Sequence, residues 1–157
     1  MSSLSSCLFE SPIGTIVVEG NERGIRSIRF VGIPPNAPND PNAPNAHSSA
    51  CIDQLSAYFN RTLASFHSLH LAIVGTDFQQ VVWDATMEVA FGETATYKDI
   101  AKAIGKPDAA RAVGNALNVN PLLLIVPCHR ILPSNKEDIG GFAAGSWRKE
   151  WLLKHES

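Results

Sequence analysis

TYKDIAKAIGKPDAARAVGNALNVN, residues 96–120, is the stretch on which the fold turns. Thr96 is placed to cap a helix, and Tyr97, Ile100, Ala101 and Ile104 follow it at i, i+3, i+4, i+7, the spacing of one apolar stripe. Gly105-Lys106-Pro107 then turns the chain, and Asp108 is placed to cap a second helix over AARAVGNALNVN. Two short helices joined by a tight turn containing glycine make a helix-turn-helix. Lys98, Lys102, Lys106 and Arg111 outnumber Asp99 and Asp108 here, so the segment is locally positive. A packed helical pair with solvated lysines would show the same charges, and they do not separate the two readings. The start of the second helix tilts the balance. Ala109 and Ala110 are small enough for backbone to approach a partner surface, and Arg111 projects from among them. A helix N-terminus with free N–H groups also suits a phosphate.

Downstream, NVNPLLLIVPCHRIL (118–132) runs a greasy segment into Pro127-Cys128-His129-Arg130. A structural buried thiol is the plain reading, since free cysteines are among the most buried residues. A thiol beside an imidazole is also the recipe for a cysteine nucleophile. Extended neighbours point to opposite faces, so a Cys128–His129 contact needs a turn or a bridging water. A catalytic histidine needs an orienting acceptor, and the downstream acids are Glu137, Asp138, Glu150 and Glu156. No second Cys/His pair stands at metal-ligand spacing.

Upstream of the pair, Thr76-Asp77 can cap a helix with Phe78, Val81, Val82, Ala85 and Val89 at helical period, broken at Gly92. The last helix is expected over 146–156. Residues 5–31 read as strands, with a hairpin-like turn at Asn21 to Gly24. The Pro- and Asn-rich run at 31–47 reads as an exposed flexible loop. A helix over 48–60 with Cys51, Leu55 and Phe59 on one face follows, and a short strand near HLAIV closes this half. The expected fold class is α/β (α+β). A small N-terminal antiparallel sheet with a helix occupies 1–75, and a helical lobe with the helix-turn-helix and an active-site loop occupies 76–157.

Composition bounds the rest. With 45% hydrophobic and 18% charged residues, the 157-residue chain is globular rather than disordered or coiled-coil. A net charge of −2 argues against coating nucleic acid by bulk electrostatics and leaves room for a local basic patch. Cys7, Cys51 and Cys128 are odd in number and widely spaced, which fits a reducing compartment: cytoplasmic, or nuclear in a eukaryote. The N-terminus is too polar for a secretion signal, and no apolar run approaches the ~18 residues of a membrane helix.

Taken with PCHR, the segments SPIGTIVVEGNERGIRSIRF, TDFQQVVW, FGETATYKDIA, AARAVGNAL, the NP pair, the glycine-rich GGFAAG and KEWLLKHE closely resemble the O6-alkylguanine-DNA alkyltransferase family. The resemblance spans essentially the whole chain. It implies that Cys128 accepts the alkyl group irreversibly from O6-alkylguanine, and less readily from O4-alkylthymine, in double-stranded DNA. It further implies His129 as a base acting through water, Glu156 as the acid that polarises it, Asn120 as the holder of the loop, and Tyr97 as a donor to the leaving guanine. Arg130 is expected to tie the loop to the body. Arg111 is expected to replace the flipped nucleotide in the stack, with Ala109, Ala110 and Thr96 on the same DNA-binding side. Leu123, Phe142, Ala143 and Ala144 are expected to shape the pocket. The resemblance implies a monomer without a cofactor. Asn21 and Arg26 stand where some relatives bind zinc, so no metal is expected. Two rival readings remain: a non-catalytic alkyltransferase-like DNA binder, disfavoured by the presence of Cys128, and an unrelated cysteine hydrolase, which leaves Arg111 unexplained.

Overall fold

A computed structural model describes residues 4–31, 45–134 and 139–157. Its contacts divide the chain into two compact units, Met1–Val74 and Gly75–Ser157.

In the first unit, β1 (Ser5–Ser11), β2 (Gly14–Asn21) and β3 (Gly24–Phe30) form an antiparallel sheet in that order. The central strand is buried on both faces at Ile16, Val17 and Val18, and Ile28 and Phe30 of β3 join the same core. Asn21 shapes the β2–β3 turn by accepting from the Arg23 N–H at 2.8 Å. Helix α1 (Ala46–Phe59) starts at an Asn45–Ser48 capping box and packs on all three strands. Its buried face is Ser48, Cys51, Leu55 and Tyr58. The expected Phe59 is only half-buried and stacks on Phe9 at 5.9 Å. The strand expected near HLAIV shrinks to one parallel bridge, Ile25 to Leu71. The approach is that local because Gly24, at φ +142°, lets the His70 carbonyl so close that a Cβ would lie 2.3 Å from it. Most of the Pro/Asn-rich run, residues 32–44, lies outside the described residues.

The second unit contains α2 (Asp77–Met87), β4 (Ala95–Thr96), α3 (Tyr97–Ala103), α4 (Ala110–Asn118), a 3₁₀ turn (Cys128–Arg130), β5 (Ile131–Leu132) and α5 (Ser146–His155). Thr76 caps α2 in a capping box with Gln79. The buried face of α2 is Val82, Trp83 and Thr86; of the expected stripe Val82 is buried, whereas Val81 is 47% exposed. The helix is rotated because the Trp83 indole N–H donates to the Ala116 carbonyl at 2.9 Å, pinning α2 to α4 through a large buried ring.

Thr96 caps α3 and forms a reciprocal box with Asp99. Gly105, at φ +76°, ends that turn, with the Lys106 N–H returning to the Ala101 carbonyl at 2.9 Å. The expected Asp108 cap is not formed. The turn carries the chain one residue further, Ala109 becomes the N-cap, and no side chain caps α4. Parallel pairing of Ala95 with Ile131 and Thr96 with Leu132 then sets the start of α3 beside the exit of the 3₁₀ turn. The α/β class and the N-terminal antiparallel sheet are as the sequence implies. No described helix is long and apolar enough to cross a membrane.

Candidate active site

The loop before Cys128 is held by one side chain. Asn120 accepts from the Leu122 N–H at 2.9 Å and donates to the Val126 carbonyl at 2.9 Å and to Cys128 Sγ at 3.2 Å. Its carboxamide thus clips both ends of the loop and touches the thiol. Pro127, at φ −80° and ψ 63°, makes an inverse γ-turn in which the Cys128 N–H donates to the Val126 carbonyl at 2.7 Å. The ring of proline pre-sets that φ. The chain then winds into the 3₁₀ turn, so Cys128 and His129 are not on opposite faces of a strand.

His129 is fully buried, and its Nε2–H donates to Glu156 Oε2 at 2.7 Å. Among the described residues its Nδ1 is buried without a hydrogen-bond partner. Arg130 donates from Nε to Glu156 Oε1 at 2.7 Å, from Nη2 to Oε2 at 2.9 Å and from Nη1 to the Val89 carbonyl at 2.7 Å. One carboxylate therefore orients the imidazole while being oriented by the guanidinium. Of the four acids considered, Glu156 is the partner; Glu150 is exposed and pairs with Lys154, and Glu137 and Asp138 lie outside the described residues.

Cys128 is 6% exposed at the end of a cleft of about 140 Å³ lined by Tyr97, Gly114, Leu117, Asn118, Gly141, Phe142 and Ala143. Burial pushes the Cys128 thiol up to about 11, against the opposing effects of the Asn120 hydrogen bond and the Lys149 charge. Burial also holds His129 below its ordinary value, with Glu156 opposing. Tyr97 is raised by burial and by the neighbouring Cys128, so its hydroxyl stays a donor.

Phe142 and Ala143 line the cleft. Leu123 and Ala144 do not: both are core residues, 4% and 1% exposed, and the wall is instead made by Gly114, Leu117, Asn118 and Gly141. Arg111 is exposed and has no side-chain partner among the described residues, next to the half-buried Ala109 and Ala110. Thr96 is 7% exposed, and its hydroxyl accepts from the Asp99 N–H at 3.0 Å as the cap of α3.

Sequence reasoning missed Lys149, a fully buried lysine whose Nζ donates to the Ile131 carbonyl at 2.7 Å and the Gly141 carbonyl at 3.0 Å. The signal was its spacing: Lys149, Leu152 and Glu156 fall at i, i+3, i+7 on the buried face of α5. Among the described residues no three His, Cys, Asp or Glu side chains gather as a metal-binding set. Asn21 serves its turn, and Arg26 is exposed.

The whole chain has counterparts among known proteins. The family model for the 6-O-methylguanine DNA methyltransferase DNA binding domain matches residues 77–157, and the model for its ribonuclease-like domain matches residues 6–73. A methylated-DNA–protein-cysteine methyltransferase of Methanosarcina barkeri is 46% identical over 95% of this chain and 94% of its own length. The crystal structure of Mycobacterium tuberculosis O6-methylguanine methyltransferase superposes with a TM-score of 0.86 at 37% identity, covering 98% of this chain and 93% of that one. A structure of the M. tuberculosis protein in complex with DNA gives 0.86 at 37% identity, covering 96% and 91%. The chain belongs to the 6-O-methylguanine-DNA methyltransferase family.

Proposed function

We propose that Cys128 takes the alkyl group of O6-alkylguanine, and less readily of O4-alkylthymine, from a nucleotide flipped out of double-stranded DNA, once and irreversibly. Family membership makes the protein a methylated-DNA–protein-cysteine methyltransferase that repairs DNA by alkyl transfer; the acceptor, the lesion and the route are the proposal. What carries it is a single observation. The thiol closes a small cleft, and directly behind it a buried His129–Glu156–Arg130 chain is fully hydrogen-bonded except at His129 Nδ1.

At neutral pH the buried thiol keeps its proton, and the imidazole is neutral. Glu156 holds the Nε2–H, which leaves the Nδ1 lone pair to take the thiol proton through a water. Sγ then displaces at the alkyl carbon. The S–C bond forms, the O6–C bond breaks, and the electron pair passes to the base, which ends as guanine after taking a proton. The Tyr97 hydroxyl, held protonated, donates a hydrogen bond to the base as negative charge develops. The thioether formed at Cys128 has no leaving group within the site, so the protein turns over once.

A base within a duplex cannot reach the cleft, so the nucleotide must leave the stack, at a cost of about a few kcal/mol. Arg111, exposed at the uncapped start of α4, fills the gap, and the small Ala109 and Ala110 let the helix lie close in the groove. The protein acts as a cytoplasmic monomer without a cofactor. A repair assay on a duplex with one O6-methylguanine tests this reading. The expected result is one lesion repaired per protein molecule, with repair lost and lesion binding kept in Cys128→Ser. Repeated turnover, or repair by the serine variant, overturns it.

A further inference from the structure

Lys149 is the one fully buried cation of the second unit among the described residues, and nothing in the alkyl-transfer route above uses it. Its Nζ joins two backbone segments that flank the thiol. Ile131 directly follows the 3₁₀ turn bearing Cys128, and Gly141 lines the cleft. The ammonium also lies 5.9 Å from the centre of the Tyr97 ring, which lines the same cleft. Burying an ammonium is costly, and a methionine or leucine would fill the same space without that cost. A position that keeps the charge therefore points to use of the charge.

We propose that Lys149 is a positioning residue for the transfer: clamped between the Ile131 and Gly141 carbonyls, its ammonium supplies the positive field that favours the Cys128 thiolate and fixes the Gly141–Ala143 wall of the cleft. The inference rests on Cys128 being the acceptor. The charged and titratable groups around the pair are Tyr97 from α3, Arg130 in the turn, and Lys149 and Glu156 from α5 and its end. Arg130 and Glu156 pair with each other. Lys149 is left as the cation that favours thiolate over thiol at Cys128, and Glu156 opposes its effect on the imidazolium of His129.

This gives a signature that distinguishes field from packing. Burial raises a thiol and lowers an imidazole, so a variant that merely loosens the site and admits water brings the Cys128 thiol down. Loss of a positive charge sends it up.

The experiment is the pH dependence of Cys128 carboxamidomethylation by iodoacetamide, read by peptide mass so that Cys7 and Cys51 do not interfere, in wild type, Lys149→Met and Lys149→Arg. Lys149→Met is expected to label Cys128 about tenfold more slowly near neutral pH, a titration moved up by about one pH unit, and Lys149→Arg to recover most of the rate. An unchanged or faster Lys149→Met, or one that arginine fails to rescue, overturns the proposal. Should Lys149→Met not fold, Lys149→Gln supplies the same test, since it removes the charge but keeps a donor for the Ile131 and Gly141 carbonyls. Cys128 should again label more slowly near neutral pH, and labelling at the wild-type rate or faster overturns the proposal. Iodoacetamide labelling needs no DNA, so a failure here is distinguishable from transfer to some other acceptor, which the lesion assay alone would reveal.

Discussion

His129 Nε2 and Glu156 Oε2 stand 2.7 Å apart, both buried and separated by 27 residues of chain. That one contact fixes which imidazole nitrogen carries the proton and joins the active turn to the end of α5. In Glu156→Gln the amide keeps a hydrogen-bonding shape but loses the charge that supports His129 and pairs Arg130. The expected result is a slower transfer whose rate rises only at higher pH, because the weakened base no longer draws off the thiol proton. Breaking a buried pair typically costs about 3–5 kcal/mol, so thermal stability should fall as well, with lesion binding little changed. A pH–rate curve matching wild type would reduce Glu156 to a helix-end residue.

Asn120→Ala removes a clip with three hydrogen bonds. The Leu122 N–H and Val126 carbonyl lose their partner in the interior, at about 1–3 kcal/mol each where no water replaces it. The thiol also loses the contact that pulls its titration down. Urea unfolding should show the stability loss, and Cys128 should label more slowly at neutral pH. Wild-type stability would show that the 121–127 loop holds itself.

Arg111→Ala should leave the fold intact, because the side chain is exposed and has no partner among the described residues. Repair in duplex DNA should slow far more than reaction with a free modified base, since only the duplex has a stack to fill. Equal losses on both substrates would place Arg111 in support of the pocket.

Cys51 offers a stability test away from the chemistry. Burial raises it from 9.0 to about 12, so the folded state holds its thiol proton where the unfolded chain has lost it. The stability from this proton is complete below pH 9 and is lost as pH rises through about 12. Between those values Cys51→Val should lose stability less steeply than wild type. Parallel curves would mean that the ionised thiol is tolerated in the α1 core.

The parts of this molecule legible in the sequence are those set by local chemistry. The Thr76 and Thr96 capping boxes, the Asn21–Gly24 turn and the α3–turn–α4 pair follow from side chains within a few residues of one another. What escaped was set across the chain. The rotation of α2 depends on Trp83 reaching Ala116, 33 residues on, and the stripe through Val81 carries no trace of it. Asp108 had the chemistry of a cap, but the path of the turn put Ala109 at that position. Leu123 and Ala144 had suitable places in sequence and pack into the core. Lys149 escaped notice because lysines are almost never fully buried. Glu156 could be chosen over Glu137, Asp138 and Glu150 only through family resemblance, until the 2.7 Å contact with His129 was in view.

The central claim is that Cys128 is the acceptor and acts once. Intact mass and peptide mapping after incubation with excess duplex bearing O6-methylguanine test it most directly. The account predicts one added methyl per molecule, carried entirely by the Cys128 peptide, with one guanine restored for each protein consumed. A methyl on Cys7 or Cys51, or an unmodified protein in a mixture where the lesion has disappeared, would contradict it.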